Sequence, residues 1–182
     1  GDGWRDVEEL HQLYPRLPLE QVPGNCDFGR FEALERVLIL DDHRVLIAHG
    51  HTLGVKTGLL RAQYRALEMN ADILLFGHTH VPLVDAASRP MMMNPGSIGD
   101  PRRPTYGVLE FRDGASIISS RVWIPSPVLA ERGNILSFGL RMCAYSTTFS
   151  MSKSKYGSTS ILLMMSASHT VKMSGYLSGL SC

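Results

Sequence analysis

Apolar positions in the opening stretch "WRDVEELHQLY" fall at Trp4, Val7, Leu10 and Tyr14, at intervals of three, three and four. That spacing marks one face of a short helix over 4–14, ended by Pro15. Extended segments follow at 19–23, 36–40 and 44–48. The last two, "RVLIL" and "RVLIA", flank the turn-like "DDH" and predict a hairpin. Over 58–69 the period lengthens again: Leu60, Tyr64 and Leu67 lie four and three apart, which predicts a second helix presenting them on one face. The apolar run of "ADILLFGHTH" does not alternate, as expected of a strand buried on both faces. Further strands are predicted at 90–93, where "MMM" reads as packed strand, and at 105–111 and 115–122, joined by a turn over 112–114. A helix feeding a buried strand is the α/β pattern, and two facing sheets with helices outside are the expected architecture.

The pattern changes after Trp123. Residues 124–182 hold 13 serines, five methionines and one acid, and no period joined to turn chemistry. Lysine occurs once before residue 123 and three times after it. The expected organisation is a domain over 1–123 and an atypical Ser/Met-rich tail over 124–182, read as a disordered extension, a non-native frameshifted or read-through passage, or else an ordinary C-terminal subdomain.

Composition narrows the function classes. With 182 residues and 44% hydrophobic content, one globular domain is expected. The longest apolar runs, "VLIL" and "ILLF", fall far short of the ~20 residues of a membrane span, and no basic-then-apolar leader opens the chain. Cys26, Cys143 and Cys182 form no CxxC pair, which suits a reducing compartment, so the cytoplasm is the expected location. The net charge of +1 hides 13 Lys+Arg against 16 Asp+Glu over 1–123 and 5 against 1 over 124–182. Apart from Arg102 and Arg103 the first part has no basic cluster, which argues against non-specific nucleic-acid binding as the main task.

Five polar clusters stand at or beside predicted strand ends: Asp2 in "GDG", Asn25 in "PGNCD", His49 and His51 in "AHGH", His78 and His80 in "GHTH", and Asn94 in "NPGS". Strand ends are where open α/β sheets place ligands, and glycine beside the polar residue lets the backbone turn sharply there. Imidazole, carboxylate and amide donors make a mixed N/O set suited to Mn²⁺, Fe, Zn²⁺ or Ni²⁺ rather than to a structural zinc. Two histidines one residue apart on an extended segment point opposite ways, so a ligating pair at 78 and 80 needs a turn or serves two ions. Two ions bridged by a carboxylate such as Asp2 can hold a hydroxide and clamp the attacking and leaving oxygens of a phosphoryl displacement. Singly, each cluster is ordinary strand-end or turn chemistry; their number, order and shared glycines raise the odds of a site.

"GDG", "GNCD", "HGH", "GHTH" and "NPGS", in this order and spacing, resemble the calcineurin-like metallophosphoesterases, and within them the YfcE-type phosphodiesterase branch. The likeness covers roughly residues 1–123. It implies a four-layer α/β/β/α sandwich and a hydrolase that cleaves phosphodiesters with hydroxide bridging two divalent ions, manganese first, with Ni, Fe, Zn or Mg as alternatives. Asp2 would bridge the ions, Asn25, His49 and His78 would complete one site and serve catalysis, and His80 would belong to the other. Cys26 stands where many superfamily members carry a proton-donating histidine, so no general acid is assigned. Cys26, Asp27 and His51 are expected at the substrate or behind the ligands, with Asp27 holding a neighbouring histidine or the loop in place. Substrates implied are a phosphorylated small molecule or a nucleotide-like phosphodiester, and a homo-oligomer is left open.

The family opens with a strand ending in Asp-x-His, which supplies two ligands of the first metal site, and this chain begins after the place of that strand. The expectation is a copy truncated at the N-terminus, with Asp2 and His80 alone in that first site. The rival expectations are an inactive truncated copy and a non-catalytic protein-interaction module on the same fold, as in the retromer sorting subunit. "GVKTG" does not meet the spacing of a phosphate-cradling loop, so Lys56 is expected in solvent.

Overall fold

The computed structural model describes residues 1–16, 18–112, 115–122, 148–153 and 159–164. Helix α1 spans Trp4–Leu13 and β1 Leu19–Glu20; β2 (Glu35–Leu40) and β3 (His43–Ala48) form the expected hairpin. Its two turn residues, Asp41 and Asp42, take φ of 48° and 63°, the left-handed conformation that a tight hairpin turn of this kind requires. Helix α2 (Leu60–Glu68) leads to β4 (Ile73–Leu75), β5 (Leu83–Asp85), β6 (Met91–Asn94), β7 (Thr105–Arg112) and β8 (Ala115–Val122). The expected strand at 19–23 is confined to its first two residues, and residues 113 and 114 of the expected turn lie outside the described residues.

Most of the region 124–182 also lies outside the described residues, but two strands stand in it where the sequence pattern had assigned no element: β9 (Thr148–Lys153) and β10 (Thr159–Met164). β10 pairs antiparallel with β7 and β9 with β10, so their backbone groups complete a ladder that no side-chain period announces.

The strands form two five-stranded sheets, ordered β2-β3-β4-β6-β5 and β1-β9-β10-β7-β8. In the first, β3, β4 and β6 run parallel, with β2 and β5 antiparallel at the edges; α2 makes the crossover from β3 to β4. Its central strands are buried on both faces. Val45, Ile47, Ile73, Leu75 and Met93 join Leu109, Phe111 and Ile118 of the second sheet in a core between the sheets. Leu46, Ala48, Leu74 and Met92 point the other way and pack with Ala62 and Ala66 of α2. This is the expected α/β sandwich. Among the described residues no helix is long and apolar enough to cross a membrane.

The second helix forms as expected, with its three large apolar residues on one face, and that face looks outward. α2 buries Ala62 and Ala66, both 0% exposed, whereas Leu60 (65%) and Tyr64 (60%) lie on its outer side with Leu67. The helix lies close over Leu46, Leu74 and Met92, and methyl side chains fit that approach where leucine would not.

Candidate metal centre

Because β3, β4 and β6 are parallel, their C-terminal ends open on one edge of the sheet. There β3 delivers His49 and His51, β4 delivers His78 and His80, and β6 delivers Asn94. The strand ends are laced beyond the ladder: Phe76 N–H donates to Met93 O (3.0 Å) and Gly77 N–H to His49 O (3.1 Å). Gly50, at φ 100°, makes the turn between the first two histidines, and a Cβ there would press on the Val55 side chain.

The loop of Asn25 and the segment of Asp2 are tied into one unit. Cys26 N–H donates to Asp2 Oδ1 (2.7 Å), and Gly24 lies so close to Asp2 that a Cβ would fall on its carboxylate and amide. Asp27 holds no histidine. Its Oδ1 accepts the N–H groups of Gly3 and Trp4, both at 3.0 Å, and its Oδ2 that of Gly24 at 2.9 Å, so it caps α1 and fastens the loop at once. Outside this tie Arg30 pairs with Glu8 (3.0 Å) and lies over the Trp4 ring at 5.5 Å.

Asp2 and His49 are both buried and face each other, with His49 Nε2 3.9 Å from Asp2 Oδ2. That is too long for a hydrogen bond, and Nε2 has no hydrogen-bond partner. The other ring nitrogen, His49 Nδ1, is 3.0 Å from His51 Nδ1, a contact in which one ring carries the proton and the other accepts it. The His78 ring lies 4.9 Å from that of His49 and 6.1 Å from that of His51, centroid to centroid. His80 is half-buried on the same turn, near enough for its charge to act on His49, His78 and Asp100.

Burial above all, then the nearby amino terminus and the other three histidines, drives the His49 imidazole from 6.5 down to about 2. It is therefore neutral, and its approach to Asp2 is no ion pair. Burial also lowers His51 and His78, with the Asp2 carboxylate opposing in both cases. The second cause at His78 is Lys56, which sequence reading had left in solvent: it is exposed, yet the 52–59 loop brings its charge to the site.

His78 and His80 stand in a turn, not on the strand, with φ of 68° and 60°. A left-handed L-residue costs roughly 1–2 kcal/mol, so the turn has to be held by its surroundings. Asn94 is fully buried beneath it: Nδ2 donates to Gly77 O (3.1 Å) and Thr79 Oγ1 (2.8 Å), and Oδ1 accepts from Gly96 N–H (2.9 Å). Asn25 is exposed, its amide donating to Cys26 Sγ at 3.4 Å.

The model of the calcineurin-like phosphoesterase superfamily domain matches residues 1–114. The chain belongs to that superfamily. It is 37% identical over 114 residues to the Bacillus subtilis protein named probable metallophosphoesterase YsnB, covering 60% of this chain and 68% of that one. To the phosphodiesterase YfcE of Escherichia coli it is 30% identical over 109 residues, covering 54% of this chain and 55% of that one. A solved structure of a conserved Streptococcus pneumoniae protein described as a predicted phosphoesterase superposes with a TM-score of 0.45 at 29% identity, over 55% of this chain and 69% of that one.

Members of a metallophosphoesterase family use divalent metal ions, and the Asp2–His49 pair fits one. Metal bonds to imidazole nitrogen and carboxylate oxygen are about 2.0–2.2 Å each, so two such bonds to one ion span a 3.9 Å gap. The orphaned, neutral Nε2 is the form of histidine that ligates. Among the described residues no group of three or more His, Cys, Asp or Glu is gathered as a ready cage.

Proposed function

We propose that this site hydrolyses phosphodiesters of small, nucleotide-like molecules with two divalent ions, manganese first among them. The observation that carries this reading is the buried, unpartnered His49 Nε2 facing the Asp2 carboxylate. The name of its YfcE relative supports phosphodiester over monoester substrates. Asp2 would stand between the ions, His49, His78 and Asn25 on one and His80 on the other. Ions bound there supply an acidified water and charge stabilisation for the phosphoryl oxygens.

The chain's own residues prepare that chemistry. Burial keeps His49 neutral, and with its proton on Nδ1, donated to His51 Nδ1, its Nε2 would turn a lone pair towards Asp2. Asp27 and Gly24 hold Asp2 and the Asn25 loop in register. Lys56 contributes a positive charge on the His78 side, where an anionic phosphate is attracted.

The test is hydrolysis of bis(p-nitrophenyl) phosphate with added Mn²⁺. Turnover that falls roughly 10²-fold or more in both His49→Gln and His78→Gln, with melting unchanged, is expected; undiminished hydrolysis in both variants sinks the reading. A second reading, a binding module without catalysis, is favoured by the exposed Phe28 and Phe31 (99%) on the Asn25 loop, apolar surface of the kind partners cover. It predicts Mn²⁺ uptake without turnover.

A further inference from the structure

We propose that Asn94 is the positioning residue of this centre: acting on the Gly77 carbonyl and the Thr79 hydroxyl, it holds the turn that presents His78 and His80. The consequence for metal binding rests on the phosphoesterase reading; the brace itself rests on geometry alone.

Asn94 ends β6 and is fully buried, so its amide has no water to satisfy it. Both of its N–H donors are aimed at one turn, at Gly77 O and Thr79 Oγ1, while its oxygen takes Gly96 N–H. No other side chain of similar size offers two donors and an acceptor in that arrangement. The turn's own bonds are short-range: Thr79 N–H to Gly77 O at 2.8 Å and Val81 N–H to Thr79 Oγ1 at 3.2 Å. They close the loop on itself but do not fix it to the sheet. The fixing comes from Gly77 N–H on His49 O and from Asn94, so the Gly77–Thr79 segment is fastened to β3 on one side and to β6 on the other.

The exit of the turn is gripped as well. Gly96, at φ 83°, lies where a Cβ would meet Pro82 at 3.1 Å and collide with Thr105 Oγ1. The Asn94–Gly96 bend thus packs against the residue that ends "GHTHVP". Two left-handed histidines separated by one threonine are stable only under such restraint, and ligand geometry needs atoms held to about half an ångström. Thr79 sits between the two imidazoles, so a bond to its hydroxyl governs both.

The experiment compares Thr79→Ser, Thr79→Val and Asn94→Asp in the 182-residue chain. Mn²⁺ affinity is read by electron paramagnetic resonance of the free ion, and amide hydrogen exchange of residues 77–82 is followed in metal-free protein. Thr79→Ser keeps the hydroxyl and should match the parent in both. Thr79→Val and Asn94→Asp should bind Mn²⁺ about 10–100-fold more weakly and exchange faster at Gly77 and Val81, with peptides from 105–111 unchanged. Parental affinity and exchange in Thr79→Val overturn the proposal, as does equal damage from Thr79→Ser, or loss of protection throughout 105–111 in both other variants. If the parent chain takes up no Mn²⁺ while Thr79→Val still loosens 77–82 alone, the metal reading falls and the brace stands.

Discussion

His49 directly follows β3, with its ring 1% exposed and its Nε2 unpartnered, which couples its protonation to folding. The native imidazole titrates near 2, whereas the unfolded chain protonates it at its ordinary 6.5. Below 6.5 the unfolded state therefore binds a proton that the native state refuses. This contribution to stability is complete above pH 6.5 and is lost as pH falls, at a limiting slope of about 1.4 kcal/mol per pH unit. In chelator-treated protein the drop in melting temperature between pH 7 and 4.5 should be larger for the parent than for His49→Gln. Thermal melts at both pH values check this, and parallel curves would show that the ring is not held neutral by burial.

The face of α2 tests packing at the scale of an element. Ala62 and Ala66 lie against Leu46, Leu74 and Met92, so Ala66→Leu should overfill the contact and destabilise by roughly 1–3 kcal/mol. Tyr64→Ser, on the exposed side, should stay within about 0.5 kcal/mol. Urea denaturation of the two variants decides it: a reversed order means that the larger residues face the sheet. The three-and-four spacing of Leu60, Tyr64 and Leu67 made the helix and their shared face legible but did not say which face is buried, because spacing does not report how closely a helix approaches a sheet. The strand ends carried more. His49, His51, His78 and their glycines were readable as a cluster because parallel strands must open on one edge, whereas Asp2, which precedes α1, is held by the Asn25 loop. The nearness of Lys56 to His78 was not readable, since it depends on the path of the 52–59 loop. Nor were the bonds of Asn94, since "NPGS" announces a turn but not what lies above it.

Across the whole molecule, the centre is rigid to the extent that the first sheet is clamped from both sides. Ile73 and Leu74 are neighbours on β4, both 0% exposed, yet Ile73 belongs to the core between the sheets and Leu74 to the core under α2. A strand with one wet face would show one costly truncation and one mild one. Here Ile73→Ala and Leu74→Ala should each cost about 2–5 kcal/mol, because each leaves a cavity in a packed layer. Because β4 leads directly into Gly77 and His78, both losses also reach the turn. Loosening at β4 is transmitted through the Phe76 N–H bond to Met93 and the Gly77 N–H bond to His49, which join the three strand ends. Equilibrium urea unfolding of the two single variants, followed by tryptophan fluorescence and by hydrogen exchange at 77–82, separates the layers. Equal penalties with faster exchange at the turn are expected. A penalty confined to Ile73→Ala would mean that α2 does not close its face of the sheet, and the site would then be clamped from one side only.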